Sequence, residues 1–468
     1  MFRYVVRRIL LIVPTVLVIL LFTFWLQSLA PGDQIEAQLT LEGESSQVGR
    51  SNYMDSYQAL QKERGLDLPM FFFGVQPSYF PDTLYKIIPK QKKVLLTSLL
   101  RQTKDWKKVA AYESSLQSLI NQHKGTEAVV KKIKIELSKI EQTKSLSDIK
   151  SRCQNLKKLT GASNYNDDGL AKLFAQVQSM QSSTLFSYPV LRWHGWDNQF
   201  NRWLGRLFNK EENVSLQDGG PVIDKIWKAL KWTISMSVIT LLLVAFFSLL
   251  LGYFKAFYRY RWFDKISSTV LYVLLAVPTF WFASLMVIFF TTREYGAWTD
   301  VFPSVGIKPS FVARSFLSEL SDNAGQLILP IICMTIMSVS YLTIQLRSDI
   351  LDTLSKPYML MARAKGLSDK QALRQHALPN ALLPYMTILT GSIPAIFTGS
   401  VIIEVIFNIP GIGRLLLSAV QEADWPIVFT IVIIISCATM VGYLVGDILL
   451  VKLFPKTRDS LGLENSIR

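Results

Sequence analysis

The sequence predicts an all-α polytopic membrane protein with six transmembrane helices and a large helical region outside the membrane between the first and second of them. Three observations predict it. Half of the 468 residues are hydrophobic and only 18% are charged, with a mean hydropathy of +0.27, a balance too apolar for an ordinary soluble protein. The apolar residues are gathered into six runs, at about 9–29, 232–254, 266–291, 326–346, 382–407 and 427–453. Each can cross a hydrocarbon core roughly 30 Å thick, which takes about 20 residues of helix. Lipid offers no partner for backbone polar groups, so only helices or closed barrels span it, and uninterrupted runs of this length exclude a barrel. Finally, the Lys and Arg beside the runs fall on alternate connections: Arg3, Arg7 and Arg8; Lys255, Arg259, Arg261 and Lys265; Arg347, Lys356, Arg363, Lys365, Lys370 and Arg374; Lys452, Lys456 and Arg458. With six spans all four groups share one side, which places both termini in the cytoplasm.

The first span, 1–30, resembles a secretory signal in its basic start and its Ser28-Leu29-Ala30 end, but its apolar run exceeds the 7–15 residues of an h-region, so it is expected to be retained. Residues 31–230 form a long translocated region. Within it Val130, Ile133, Leu137 and Ile140, and then Leu146, Ile149, Cys153 and Leu156, recur at three- and four-residue steps, the pattern of amphipathic helices. Turn and cap residues at 124–126, 145–148 and 160–169 separate them, and three or four antiparallel helices are expected. Between Lys86 and Lys158 stand 18 Lys and Arg against 6 Asp and Glu, most of the chain's formal +15, a surface suited to anionic lipid headgroups or an acidic partner as well as to plain solvation.

The core, 231–455, holds the other five spans. The second and third contain no charged residue, and Pro278 interrupts the third, where a proline removes a donor and bends the helix. The connection 298–323 is expected to hold an interfacial helix at 311–320. A polar, basic segment, 358–379, lies within the connection 347–381 between the fourth and fifth spans. Up to Lys365 it reads as one short helix that Gly366 ends, because glycine takes the left-handed C-cap at little cost. Ser368 opens a second, with Gln371 completing a capping box. Leu378-Pro379 is expected to close it, since the residue before a proline is pushed out of the α region. The fifth span contains Gly391, Pro394 and Gly399, residues that let helices approach closely, and Glu404, which water or Arg414 would satisfy. Asp447 in the last span is expected to act in helix packing. Residues 456–468 form a tail.

Within the segment, Ala362-Arg363-Ala364-Lys365-Gly366 and His376-Ala377-Leu378-Pro379 resemble the cytoplasmic EAA loop of ABC importer permeases, in the form found in the dipeptide and oligopeptide subfamily. The first helix closing on Leu29-Ala30-Pro31-Gly32-Asp33 is similar to that family's uncleaved one. Gly65-Leu66-Asp67-Leu68-Pro69 resembles that family's LGLDxP element, Asp218-Gly219-Gly220-Pro221-Val222 resembles the end of the segment that leads into its second helix, and Glu404, Phe407, Pro410, Gly411 and Gly413 match its ExxFxxPGxG turn. Residues of about 76–189 match nothing in the family and read as an insertion.

The resemblance implies a type I importer permease fold in the cell (inner) membrane, forming half of a translocation pathway, and a peptide as cargo. It implies that 362–366 and 376–379 dock onto separate ATPase subunits, and that Glu404, Pro410, Gly411, Gly413 and Pro278 lie beside the pathway. Its further partners would be a second homologous permease subunit and an extracytoplasmic substrate-binding protein.

What is absent agrees with this division of labour. There is no GxxxxGK[ST] phosphate loop, so ATP hydrolysis would belong to another subunit. No set of ionisable residues lies inside the spans, as a proton-coupled secondary transporter would need, and no Gly-x-Ser-x-Gly or His-Glu-x-x-His element suggests a hydrolase. His123, His194 and His376 are scattered, so no metal or cofactor site is read, and nothing points to nucleic acid. A signalling or lipoprotein-handling protein with a large external sensor domain is the alternative of another class.

Overall fold

The computed structural model describes residues 2–29, 50–87, 90–122, 128–162, 168–183, 187–209, 213–292, 296, 301–308 and 315–454. The tail 456–468, the turn at 124–126, residues 30–33 and 163–167 lie outside the described residues, as do His123, Trp298 and Phe311. The chain divides into two compact units, one of Met1–Gln34 with Leu207–Arg468 and one of Ile35–Arg206.

The first described element of the 35–206 unit is a helix at Arg50–Glu63, and the N-terminal helix of the other unit is α1, Phe2–Leu29. Strands β1, Phe73–Pro77, and β2, Pro189–Trp193, then pair antiparallel with Phe73 opposite Trp193 and Val75 opposite Leu191. Between them lie five helices: α2 Lys90–Thr103, α3 Trp106–Gln122, α4 Ala128–Glu141, α5 Leu146–Ala162 and α6 Asp168–Ser179. The expected three or four helices are thus five among the described residues. The stripes read from the spacing start at Val130, whereas Leu96, Leu99 and Leu100 on α2 and Val109, Tyr112, Leu116 and Leu119 on α3 bury a second pair. Lys104, in the left-handed region at φ +53°, separates α2 from α3, and the Asp105 carboxylate accepts from the Lys108 N–H to start the second helix. Of the residues singled out by spacing, Ile133, Leu137, Ile140, Leu146, Ile149, Cys153 and Leu156 enter one core with these side chains, and the side chain of Val130 lies outside the described ones. Burial there pushes the Cys153 thiol up to about 11, so it stays a neutral packing group. Helix α7, Gln199–Phe208, follows β2.

The other unit is a bundle. Its long helices are α1, α8 Val222–Phe257, α11 Ala324–Ser355 and α18 Trp425–Leu453. A fifth long apolar helical run covers Asp369–Thr398. Helices α9, Trp262–Ala276, and α10, Thr279–Thr291, form a pair bent by 100° at Val277-Pro278. The two parts of that pair touch opposite ends of the bundle. Asp264 at the start of α9 meets Lys255 near the end of α8, while Ala283 of α10 packs with Trp232 and Leu329 near the starts of α8 and α11. The bent pair is therefore one crossing, and the bundle has six.

The fifth crossing departs from the run read at 382–407. It comprises α14 Leu378–Gly391, α15 Ala395–Thr398 and α16 Val401–Ile406, with breaks at 392–394 and 399–400. Hydropathy cannot show such breaks, because irregular backbone at membrane depth is tolerated where protein covers it. Here α18 does so: a Cβ on Gly442 would lie 3.0 Å from the Pro394 Cα, and one on Gly446 2.8 Å from the Thr390 carbonyl oxygen. The close approach expected of Gly391 belongs to these glycines instead, since nothing lies within 4 Å of a Cβ built on Gly391. The connection before α11 carries a helix at Phe316–Asp322, capped by Ser315, which overlaps the expected 311–320, of which 311–314 lie outside the described residues.

Replacing the fully buried Leu137 by alanine should destabilise the 35–206 unit by about 2–5 kcal/mol. Hydrogen exchange on the full chain should then show lost protection across α2–α6 and unchanged protection in α8 and α11.

Candidate functional site

The segment 357–377 is built from local chemistry. Lys356 is extended and Pro357 stands at the first position of α12, Pro357–Ala364, where its missing N–H and fixed φ suit a helix start. Gly366, at φ +91°, turns the chain, with its N–H donating to the Arg363 carbonyl at 2.9 Å. Ser368 then caps α13, Asp369–Ala372: its Oγ accepts from the Gln371 N–H while Gln371 Oε1 accepts from the Ser368 N–H, the expected capping box. Arg363 and Asp369 face each other across the glycine as an ion pair at 3.2 Å.

The predicted closure at Leu378-Pro379 does not occur. Leu378 is α-helical at φ −60°, ψ −49°, and residues Leu373–Ala377 form a π turn that runs into α14. In that turn the Leu378 N–H reaches back to the Leu373 carbonyl, so the ladder is already shifted by one residue where Pro379 brings no donor. The second helix of the segment is thereby continuous with the fifth crossing.

The segment is also packed onto the bundle. Met359, Ala372, Leu373 and Ala377 are buried with Ala256 of α8 and Leu346, Ile350 and Leu354 of α11. Gly252 brings these two helices together, since a Cβ there would lie 2.8 Å from the Leu346 Cδ2. Leu360 and Met361, by contrast, are 64% and 65% exposed beside exposed Tyr358, Ala364, Lys365 and Gly366. Ala362, Arg363, His376 and Leu378 are half-buried, Pro379 is exposed, and the His376 carbonyl accepts from Asn380.

Beneath this segment lies a cluster that sequence reasoning missed. Arg347 grips Asp264 through both carboxylate oxygens at 2.6 Å, and the Tyr260 N–H adds a third bond at 3.0 Å. Lys255, with no exposed surface, sits 3.6 Å from the same carboxylate and donates to Ser267 and Ser268. Three crossings are tied at one point. The available signal was Asp264 as the one acid amid Lys255, Arg259, Arg261 and Lys265.

A second assembly surrounds Glu404, which is fully buried. Thr233 of α8 donates to Glu404 Oε1 at 2.8 Å and accepts from the Ile412 N–H, while the Arg414 N–H donates to Oε2 at 3.0 Å. Arg414 thus satisfies the carboxylate through its backbone, not through its guanidinium. The glycines of the turn make room for it: a Cβ on Gly399 or Gly411 would lie 2.5 Å from Oε1, and one on Gly413 3.0 Å from Oε2 and 2.7 Å from the Val401 Cα. Gly399 is also at φ +62°. Asn408, left-handed at φ +52°, and exposed Pro410 shape the turn that leads into α17, Ile412–Gln421. The bend at Pro278 brings α10 into the same apolar cluster, where Ala283 joins Ile403 and Phe407. Ala283 of α10 thus shares a core with the neighbours of Glu404, whereas 357–377 belongs to a separate one and Pro278 itself is exposed.

Two further contacts fix the bundle. Asp424 accepts from Ser215 Oγ at 2.5 Å and from the Leu216 N–H, and Lys225 joins Ser215 to Asp218, holding the Asp218 carboxyl down at about 2. Asp447 pairs with Arg8 at 2.8 Å, tying α18 to α1. No group of three or more His, Cys, Asp or Glu that could hold a metal ion occurs among the described residues.

Gly411→Ala should destabilise the protein by about 1–3 kcal/mol through overpacking against the Glu404 carboxylate. Gly391→Ala, which meets nothing, should leave stability unchanged or raised. Thermal unfolding of the solubilised chain compares the two, and equal effects would show that the glycines do not accommodate the carboxylate. In the other cluster, Asp264→Ala leaves Lys255 and Arg347 facing each other without their anion, and should cost about 3–5 kcal/mol in the same measurement.

Residues 247–459 match the family of binding-protein-dependent transport system inner membrane components. The chain is 31% identical over 252 residues to the oligopeptide transport system permease protein AppB of Bacillus subtilis, covering 54% of this chain and 77% of that one. It is 33% identical over 230 residues to a putative peptide transport system permease protein of Brucella abortus, covering 49% and 70%. It is 29% identical over 261 residues to the metal-staphylopine import system permease protein CntB of Staphylococcus aureus, covering 56% and 78%. The matched residues of the family lie wholly in the bundle unit, and with six crossings and no nucleotide-binding loop in its sequence the chain belongs to this family, as a membrane-spanning permease subunit of an ABC importer whose ATPase resides on partner subunits.

Proposed function

We propose that the chain is the permease of a peptide importer in the cell (inner) membrane, with both termini cytoplasmic, and that 357–379 is the element that receives the ATPase stroke. The observation that carries this is the continuity of the segment with the bundle. Its second helix passes without interruption into the fifth crossing, and Met359, Ala372, Leu373 and Ala377 seat both its helices on the ends of α8 and α11. A push on such a segment moves the crossings with it. The exposed Tyr358, Leu360 and Met361, beside Lys365, form an apolar face with a basic rim, of the kind that fits another protein's groove. In this reading Ala362, Arg363, Ala364, Lys365 and Gly366 set the docking angle, and His376, Leu378 and Pro379 carry the connection into the membrane.

The opposite assembly, with Glu404, Pro410, Gly411 and Gly413, would shape the outer end of the pathway, and the bend at Pro278 would set α10 against it. A switch between inward- and outward-facing packings needs an element with two arrangements, and the breaks at 277–278 and 392–400 are the places in the crossings where backbone can rearrange. A second homologous permease would complete the pathway and an extracytoplasmic binding protein would deliver cargo. Peptide cargo is supported by the kinship to the Bacillus subtilis and Brucella abortus permeases.

Gly366→Ala keeps the space around residue 366 open but forces a side chain into φ +91°, at about 1–2 kcal/mol. Co-purification of ATPase subunits, or peptide uptake in cells, should fall by a factor of about 5–30, the population change such an energy produces. Unchanged association and uptake would contradict the docking role. Uptake of labelled peptides of graded length, in cells lacking and regaining this chain, tests the cargo itself; no difference between the two would remove the peptide assignment and leave the permease assignment standing.

A further inference from the structure

We propose that the β1–β2 ribbon of the 35–206 unit is a membrane-surface anchor, laying one face on the lipid headgroup zone of the bilayer. The pairing places Phe73 opposite Trp193, Val75 opposite Leu191 and Pro77 opposite Pro189, and because strand residues alternate in facing, these six side chains share one face. Leu191 is 70% exposed and Phe73, Val75 and Trp193 each more than half exposed, so this face is turned away from the unit's own core. The other face carries the polar members, Gln76 and Arg192, with Arg192 paired to Asp82.

The aromatic patch continues beyond the ribbon. Trp196 is 72% exposed, and its ring meets Phe72 edge-on at 5.2 Å and Trp193 at 6.5 Å, while Phe72 stacks on Trp193 at 6.2 Å. These contacts hold the indoles in place without covering them. A contiguous apolar patch of this kind on a water-exposed domain marks an interaction surface.

Three features favour lipid as the occupant. Trp and Phe with aliphatic neighbours, and no acid or base on the face, are the side chains that settle at the headgroup level, where an indole has an apolar ring and one donor to place. The unit bearing the ribbon carries 18 Lys and Arg against 6 Asp and Glu between Lys86 and Lys158, complementary to an anionic membrane surface. Finally, both ends of the unit lead into membrane-spanning helices, one ending at Leu29 and one starting at Val222, which keeps the patch at high effective concentration near the bilayer. An aromatic face and a basic body act as two weak signals that together give stable attachment.

The test uses the full chain in vesicles of phosphatidylethanolamine and phosphatidylglycerol, in a Cys437→Ala background, with an environment-sensitive fluorophore on Leu191→Cys. Cys153 and Cys333 are buried and leave the new thiol as the reactive one. A label on Lys139→Cys, on the polar face of α4, is the control. The label at 191 should be quenched by headgroup-proximal spin-labelled lipid, at a depth of about 5–10 Å into the interface, and protected from iodide, with the reverse at 139. Iodide quenching at 191 equal to that at 139 would overturn the proposal in favour of a solvated face. Protection from both quenchers would overturn it in favour of a protein occupant. Val75→Cys, on the facing strand, repeats the measurement where the 191 variant fails to fold.

Discussion

A bilayer supplies no hydrogen bonds to a peptide backbone, and this constraint decides where the bundle can be irregular. Several of its irregular points are covered by protein or answered by a polar group, while the bend at Val277-Pro278 leaves Pro278 exposed. The interruption at 392–394 lies against Gly442, the turn at 407–413 closes around Glu404, and the left-handed Tyr260 donates its N–H to Asp264. Two of these places also hold buried charges, Glu404 in one and Asp264 with Lys255 in the other. A carboxylate that accepts from backbone N–H groups on a neighbouring turn costs far less to bury than an isolated one, and it makes the turn specific.

The two charged centres play different structural parts. Glu404 organises a local turn, through Thr233 and the glycines that let the chain pass close to the carboxylate. Asp264 joins distant elements, with Arg347 reaching it from another crossing and Lys255 from a third. The second arrangement lies immediately beneath the segment 357–377, whose apolar contacts share the ends of α8 and α11. The segment and the lower parts of three crossings thus form one packed body, which is the property required of a part that passes on force.

Much of this was legible in the residues because it depends on local chemistry. Gly366, Ser368 and Gln371 announce a helix stop and start that need no tertiary context, and the spacing of Ile133, Leu137, Ile149 and Leu156 announces a buried stripe. The failures share a different cause. Pro379 reads as a helix terminator, but a π turn one residue earlier has already shifted the ladder. The run at 382–407 reads as one helix because hydropathy reports burial in lipid or protein alike, and not the course of the backbone within it. Arg347 reads as a charge on a different connection from Lys255 and Asp264, since nothing in sequence pairs groups more than eighty residues apart.

The central claim is that the 357–377 segment and the adjoining ends of α8 and α11 behave as one rigid body. Paired spin labels on Lys370→Cys and Leu249→Cys, in the assembled transporter with and without ATP, measure it most directly. The account predicts one narrow distance that is the same in both nucleotide states. A distance that broadens or shifts between them would show the segment moving independently of the bundle and would contradict the account.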